Sequence, residues 1–297
     1  MSEVEKSAPL SYSSASLLNN CEQRYWHYKV AATEKDSDFA EDYAAFDIGK
    51  TFHQVLEKNL HTRENLDLLL DESCKEFKTE ENKEMIRAML NVYLDMHEAS
   101  GLKCVKCETA ISSPEVIGFI DAIMVEPRGG WFICDLKTAG RWMPSVLAKL
   151  PTDYQLNLYS HFADGIADLL ELDPSKFKGC LYRVATKTTI SQKSNESDKA
   201  FYNRLYKTVK AFDIFVPKSS MDIEGVWGRH IEAFNRSLEL REGSIPRRNY
   251  GQCESYFRPC PYWSNCHGDL NTKCLTKVTL NTAESYTNRN RNIAKVL

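Results

Sequence analysis

Gly118-Phe119-Ile120-Asp121-Ala122-Ile123-Met124-Val125, then Glu126-Pro127-Arg128-Gly129-Gly130, then Trp131-Phe132-Ile133-Cys134-Asp135-Leu136-Lys137: the reading of this stretch decides the fold. Two β-type runs flank a segment built from turn residues. Pro127 suits the first central position of a type I turn and Gly129 the left-handed position after it, so Pro127-Arg128-Gly129 is expected to close a hairpin. That loop sets a register of Val125 opposite Trp131, Ile123 opposite Ile133 and Asp121 opposite Asp135. Two carboxylates side by side on an otherwise apolar sheet are costly without a cation, and a hard divalent ion, Mg²⁺ or Mn²⁺, suits carboxylate oxygens best. Strand alternation sends Leu136 to the other face and aims Lys137 at the same place as Asp135. An ammonium there could orient an attacking water or stabilise charge growing on a phosphate. Taken alone, Asp135 and Lys137 would equally suit a surface ion pair; Asp121 aligned with them favours chemistry.

Outward from the hairpin, the pattern alternates helices and strands. Ser14 to Tyr28 has helical spacing after a Ser-rich start, and the acidic stretch Glu34 to Asp47 reads as a solvated connection. Phe46 to Leu60 reads as a helix and Asn65 to His97 as one or two more. Strands are expected at Lys103 to Ile111, Val116 to Glu126 and Trp131 to Leu136, then a helix over Asp153 to Leu170 and a strand over Gly179 to Ala185. Helical stretches follow from Ser197 to Ala211 and from Met221 to Glu242; after Pro246 come Cys, Pro, Arg and aromatics, then a polar tail.

The 297 residues carry ordinary hydrophobic and charged fractions, which exclude a fibrous or extensively disordered chain. No run is apolar enough for a signal peptide or a bilayer span, so a cytoplasmic setting is expected, including that of a phage protein in its host, with no membrane partner. Ten cysteines in a reducing compartment imply metal ligation or burial rather than disulfides. A net charge of -3 neither requires nor excludes a nucleic-acid partner.

The flanking helices add residues that share faces. Gly49, His53 and Glu57 are spaced by four: Gly49 permits close approach of another backbone, His53 is a candidate ligand or phosphate contact, and Glu57 is a solvated charge or a His53 partner. Gln155 and Tyr159 project together and could hold Lys137 or contact a phosphate; Glu108, at the end of Cys104-Val105-Lys106-Cys107, could point the same way. A lone helical His, or the polar edge of an amphipathic helix, would account for these residues just as well in isolation.

Taken in order, Gly49-x3-His53, Gly118-x2-Asp121, Asp135-x-Lys137 and Gln155-x3-Tyr159 resemble the motifs of the RecB-like branch of the PD-(D/E)xK nucleases, over roughly residues 46 to 185. Ile120 stands where those nucleases usually have proline. The resemblance implies a Mg²⁺ or Mn²⁺ ion held by His53, Asp121 and Asp135, with Lys137 catalytic and Gln155 and Tyr159 bracing the site. It implies an α/β restriction-endonuclease-like core, a mixed sheet flanked by helices, with helical additions and a C-terminal Cys-rich metal-binding segment. The expected division is 1–45 (helix, acidic linker and first cluster cysteine), 46–215 (nuclease core with a helical insertion) and 216–297 (helix, iron–sulfur loop and tail).

Cys253-x6-Cys260-x5-Cys266 lies in a Pro- and aromatic-rich segment able to wrap a metal, and a set of three thiolates needs a fourth ligand. The iron–sulfur members of the family, similar to the CRISPR-adaptation nucleases, take one cysteine upstream of the core, which implies Cys21. They commonly separate the first two C-terminal cysteines by two residues rather than six, which makes Cys274 a rival to Cys253. A [4Fe–4S] cluster suits an all-sulfur set, with tetrahedral zinc the runner-up. Cys104 and Cys107 are expected on opposite faces of a strand, as structural residues, and Cys74, Cys134 and Cys180 as buried hydrophobes. Arg247, Arg248, Tyr250, Tyr256, Phe257, Arg258, Tyr262 and Trp263 fit either a single-stranded DNA platform or a shell around the cluster.

The expected activity is metal-dependent DNA phosphodiester hydrolysis, as an exonuclease in repair, recombination or phage DNA processing. No Walker-type motif is present, so unwinding would fall to a separate helicase or recombination partner. A non-catalytic DNA-end-binding or scaffold subunit is the alternative, and a zinc protein with accidental motifs the third.

Overall fold

The computed structural model describes residues 8–35, 43–75, 80–140, 144–255 and 258–267. Among these, the residues of Asp42–Thr109 and Phe119–Ile223 form one compact unit, and those of Met1–Glu41, Ala110–Gly118 and Glu224–Leu297 a second.

The first unit contains helices α3 (Tyr43–Asn59), α4 (Leu66–Ser73) and α5 (Glu80–Ser100) and most of a five-stranded sheet. The strands β1 (Lys103–Ser112), β2 (Ile117–Val125), β3 (Trp131–Ala139), β4 (Phe177–Thr186) and β5 (Ala211–Pro217) lie in sequence order across the sheet. β2 and β3 are antiparallel, β3 and β4 parallel, β4 and β5 antiparallel. The parallel step needs a crossover, supplied by a 3₁₀ segment at Pro144–Thr152 and helices α6 (Tyr154–Ser160) and α7 (Ala163–Leu170). α8 (Asp198–Thr208) precedes β5.

Helical spacing explains the core. On α5, Met85, Met89, Tyr93 and His97 repeat every four residues, and with Ile86 and Leu90 they bury one face against Phe52, Val55 and Leu56 of α3 and Leu136 of β3. Each such side chain removed from water contributes about 1.5–3 kcal/mol. β3, the middle strand, is buried on both faces from Trp131 to Leu136. Among the described residues one Arg is buried, Arg183 on β4, whose charge is met by Asp213 of β5 (2.7 Å) and whose Nη1 reaches Tyr93 Oη (3.0 Å) and His97 Nδ1 (2.7 Å).

The hairpin forms as expected: Gly129 sits at φ +82°, its N–H donates to Glu126 O at 2.9 Å, and Val125 pairs with Trp131 and Ile123 with Ile133. Pairing is recorded as far as Ala122 opposite Cys134, and beyond it Leu136 N–H donates to the Asp121 side chain at 2.7 Å.

Three expectations are corrected. The helix expected over 153–170 is two, broken at Phe162. The run Phe212–Val216, for which no element was expected, lies in β5; its apolar residues lack the clean alternation of a one-sided strand, and β4 supplies the partner that makes it one. Cys104 and Cys107 do not face opposite ways: the alternation of β1 breaks between them, and the two thiols lie 3.4 Å apart on one buried side, just before Glu108 at a left-handed φ of +46°. Cys74, Cys134 and Cys180 are buried, as expected. Most of the polar tail, with Cys274, lies outside the described residues, as do Tyr256 and Phe257.

The second unit holds α1 (Tyr12–Asn20), α2 (Glu22–Tyr25) with the π-helical turn Trp26–Val30, α9 (Ile223–Arg241), two short paired strands β6 (Glu254–Ser255) and β7 (Arg258–Pro259), and α10 (Trp263–His267). Ser11 caps α1 by accepting from Ser14 N–H. Leu10 bridges in parallel to Val116, and His230 of α9 reaches the Glu115 carbonyl at 3.2 Å. No helix among the described residues is long and apolar enough to cross a membrane.

Candidate functional site

On β3, Asp135 is 2% exposed, and one of its oxygens accepts from Lys137 Nζ at 2.7 Å. The same Nζ donates to Gln155 Oε1 at 3.0 Å, and Gln155 Nε2 faces Tyr159 Oη at 3.5 Å. Both Gln155 and Tyr159 are presented by α6, whose start is pinned by Asp153 accepting from Leu156 N–H at 2.9 Å. On β2, Asp121 accepts from Leu136 N–H, and its second oxygen lies 3.6 Å from His53 Nδ1 on α3. α3 approaches closely enough because residue 49 is glycine: a Cβ there would stand 2.9 Å from Thr138 Oγ1 of β3. His53, Asp121, Asp135, Lys137, Gln155 and Tyr159 are thus brought together, whereas Glu57 is exposed.

The electrostatics divide these groups. Burial raises the Asp121 carboxyl, but His53, Lys137 and the Leu136 N–H outweigh it and hold it below its usual value. Burial pushes Asp135 up to about 6 despite Lys137, with the Asp121 charge adding to the rise. Burial also pushes Glu108 up to about 7, aided by Asp121 and Glu57. For Lys137, burial opposes the charge, yet Asp135 and Asp121 more than compensate and raise it. Burial carries Tyr159 up to about 12, so it stays a phenol.

These residues fit a hard divalent cation. Asp135 Oδ2 is buried with no hydrogen-bond partner, and an unpartnered carboxylate oxygen beside a second carboxylate is the donor set such an ion takes. The Glu108 carboxyl feels the Asp121 charge from the first strand.

In the second unit, Cys21, Cys253, Cys260 and Cys266 line one cavity, together with Arg24, Tyr250 and Trp263. Cys21 stands in the extended break between α1 and α2. The break is tied to the C-terminal segment by Gln23 N–H to Arg247 O (3.1 Å), by Asn249 Nδ2 to Asn20 O (2.8 Å) and by Glu22, which pairs with Arg236 at 2.8 Å and accepts from Arg247 N–H at 2.9 Å. Cys260 N–H donates to Cys253 O at 2.7 Å and Cys266 N–H to Tyr262 O at 3.0 Å, which curls the segment around the cavity. Burial pushes Cys266 up to about 11, and the nearby Cys260 adds to the rise. Of the aromatics, Tyr262 is buried and stacked on His27, whereas Tyr250 and Trp263 are exposed.

A constellation missed by sequence reasoning is His61, Cys104 and Cys107, all buried, whose ligand atoms lie within 4.8 Å of one another. The C-x2-C signal was present; the break in strand alternation that turns both thiols one way was not.

Residues 9–267 match the family model of the PD-(D/E)XK nuclease superfamily, and the five-stranded mixed sheet flanked by helices is the restriction-endonuclease-like α/β fold. No curated protein matches the chain.

Proposed function

The chain belongs to the PD-(D/E)XK nuclease superfamily, whose members are generally nucleases, and we propose on that premise that it is a Mg²⁺- or Mn²⁺-dependent deoxyribonuclease of the RecB-like branch, acting as an exonuclease. The observation that carries the reading is the buried Asp135, bonded to Lys137 through one oxygen and unpartnered at the other, with Asp121 from the neighbouring strand beside it. When bound by Asp121 and Asp135, with His53 and Glu108 adjoining, the ion supplies Lewis-acid polarisation of a phosphoryl oxygen. The remaining work falls to the chain itself. Lys137, kept cationic and oriented by Asp135 and Gln155, presents positive charge to a phosphate as negative charge develops. Tyr159 steadies Gln155, and Leu136 N–H holds the Asp121 carboxylate in place.

We assign Cys21, Cys253, Cys260 and Cys266 to a [4Fe–4S] cluster. A single zinc ion would draw four thiolates to within about 3.8 Å of one another. The four line one cavity and supply an all-sulfur set, which suits a cluster, with a single zinc as the runner-up. Unwinding, in this reading, comes from a separate helicase or recombination partner in the cytoplasm, during repair, recombination or phage DNA processing.

Digestion of end-labelled single- and double-stranded DNA with Mn²⁺ tests the proposal. Progressive, end-dependent loss of label on one strand polarity is expected. Internal cuts in closed circular DNA would replace the exonuclease reading with an endonuclease, and intact DNA under all conditions would favour the non-catalytic DNA-binding subunit.

A further inference from the structure

His61, Cys104 and Cys107 are brought together where the backbone departs from regular helix and strand. Residues three apart on a regular strand face opposite sides, yet Cys104 and Cys107 are both buried with their sulfurs 3.4 Å apart, so the alternation of β1 breaks between them, and Glu108, immediately after, is left-handed at φ +46°. At the end of α3, Leu60 and His61 are both left-handed, at φ +50° and +58°, and this pair of turns puts the His61 ring with the thiols. Three non-glycine residues in that region are unusual, and strain of this kind concentrates where function holds it in place.

We propose that His61, Cys104 and Cys107 form a second metal site, for a thiophilic cation, Zn²⁺, separate from both the carboxylate centre and the Cys21 cavity. Tetrahedral Zn–S bonds of about 2.3 Å set two thiolates about 3.8 Å apart; the Cys104 and Cys107 sulfurs stand at 3.4 Å, a few tenths short of that spacing. The His61 ring is fixed by Nδ1, 2.5 Å from Tyr93 Oη, which leaves Nε2 as the ligand atom and Tyr93 as the outer partner that orients ligating imidazoles. The surroundings select for softness and exclude hard ions: Ala122, Met124, Phe132, Cys134 and Leu181 pack against the thiols, and no carboxylate belongs to the group. Two thiolates and Zn²⁺ sum to zero charge, so the loaded site places no unpaired ion in a buried pocket. The fourth position falls to water or to the Leu56 carbonyl oxygen, 3.9 Å from Cys107 Sγ. Zinc there would fix the strand immediately before Glu108, whose carboxyl feels the Asp121 charge, and so support the divalent-ion site without joining it.

The test is metal analysis of the full-length protein purified without oxygen and equilibrated with Zn²⁺, beside two variants. Wild type is expected to retain about one zinc equivalent in addition to iron. Cys104→Ala/Cys107→Ala should lose that zinc and keep the iron, and Cys260→Ser/Cys266→Ser should do the reverse. Zinc-edge X-ray absorption of the wild type decides the matter even if the first variant does not fold. A shell of two sulfurs with one nitrogen supports the site, and a shell of four sulfurs overturns it by moving the zinc to the Cys21 cavity. Absence of retained zinc, or a Cys104–Cys107 disulfide in the anaerobic protein, overturns it as well.

Discussion

The carboxylate–lysine centre and the four-cysteine cavity are built in opposite ways. The first rests on strand register: once Val125 faces Trp131, the positions of Asp121, Asp135 and Lys137 follow from pleat and alternation. The second rests on short and irregular backbone, where Cys21 occupies a helix break, Cys253 and Cys260 sit on short turns closed by individual hydrogen bonds, and Cys266 lies on the five-residue helix α10. A scaffolded site should therefore lose chemistry without losing structure when a side chain is cut back, and a loop-built site should lose structure along with its metal.

The largest effect expected is that of Lys137→Ala or Asp121→Ala, each lowering Mn²⁺-dependent cleavage by on the order of 10²–10³-fold or more, as loss of a transition-state charge partner does. Circular dichroism should stay native, because β3 remains packed between β2 and β4. Wild-type rates in either variant, with contaminating nucleases excluded, would remove these residues from the chemistry. Next in size is Cys260→Ser or Cys266→Ser, expected to abolish absorbance near ~400 nm from an iron–sulfur centre and to lower Tm by roughly 5–10 °C. The stability loss follows because binding energy available only to the folded chain adds to folding, and the loop from Cys21 to Cys260 spans most of the chain. Loss of colour with unchanged Tm would mean that the segment closes without its cluster.

How much of this could be read from the residues alone follows the same division. The hairpin register was legible because Pro127 and Gly129 are local signals whose geometry propagates along both strands. Gln155 and Tyr159 were legible because four-residue spacing needs only a helix. β5 was not, since Phe212–Val216 becomes a strand through pairing with β4, a long-range fact. The convergence of Cys104 and Cys107 was not, since the alternation of β1 breaks between them and reverses the parity on which face assignment depends, and Val105-Lys106 carries no signal for it. The tie between Cys21 and the C-terminal cysteines came from family resemblance; the bonds that bring them together, such as Asn249 to the Asn20 carbonyl, join single side chains to backbone and leave no periodic trace.

A smaller effect concerns protons. In the metal-free protein Asp135 is raised to about 6 from 3.8 and Glu108 to about 7 from 4.5. The folded state therefore holds more protons than the unfolded state between these values. The stability from these two groups is fully present below about pH 4 and is lost as pH rises through about 7. A divalent ion must displace those protons, so its stabilising effect should grow over the same window. The Tm increment from Mn²⁺ over chelator should be several degrees larger near pH ~7.5 than near pH ~5.5, and Glu108→Gln should flatten the difference. An increment independent of pH would separate metal binding from these carboxyls.

The smallest effect probes how closely a helix must seat against the strands for the register to matter. Alanine in place of glycine within a helix is intrinsically favourable by about 1 kcal/mol, so Gly49→Ala would stabilise the protein if nothing stood in the way. A Cβ at residue 49 stands 2.9 Å from Thr138 Oγ1, closer than such contacts normally come, and either the hydroxyl rotates or α3 lifts from β3. Lifting α3 carries His53 away from Asp121, whose separation is already 3.6 Å. The expected outcome is Tm within a few degrees of wild type, the two contributions opposing, with kcat/KM lowered roughly 3–10-fold, a loss of about 1 kcal/mol in transition-state stabilisation. Thr138→Ala in the same chain removes the obstructing oxygen and should restore most of the rate, whereas Thr138→Ser keeps it and should not. The two substitutions touch, so their effects should be strongly non-additive. A fully active and more stable Gly49→Ala protein would show that α3 has slack at this point, and that His53 is placed by something other than the close approach glycine allows.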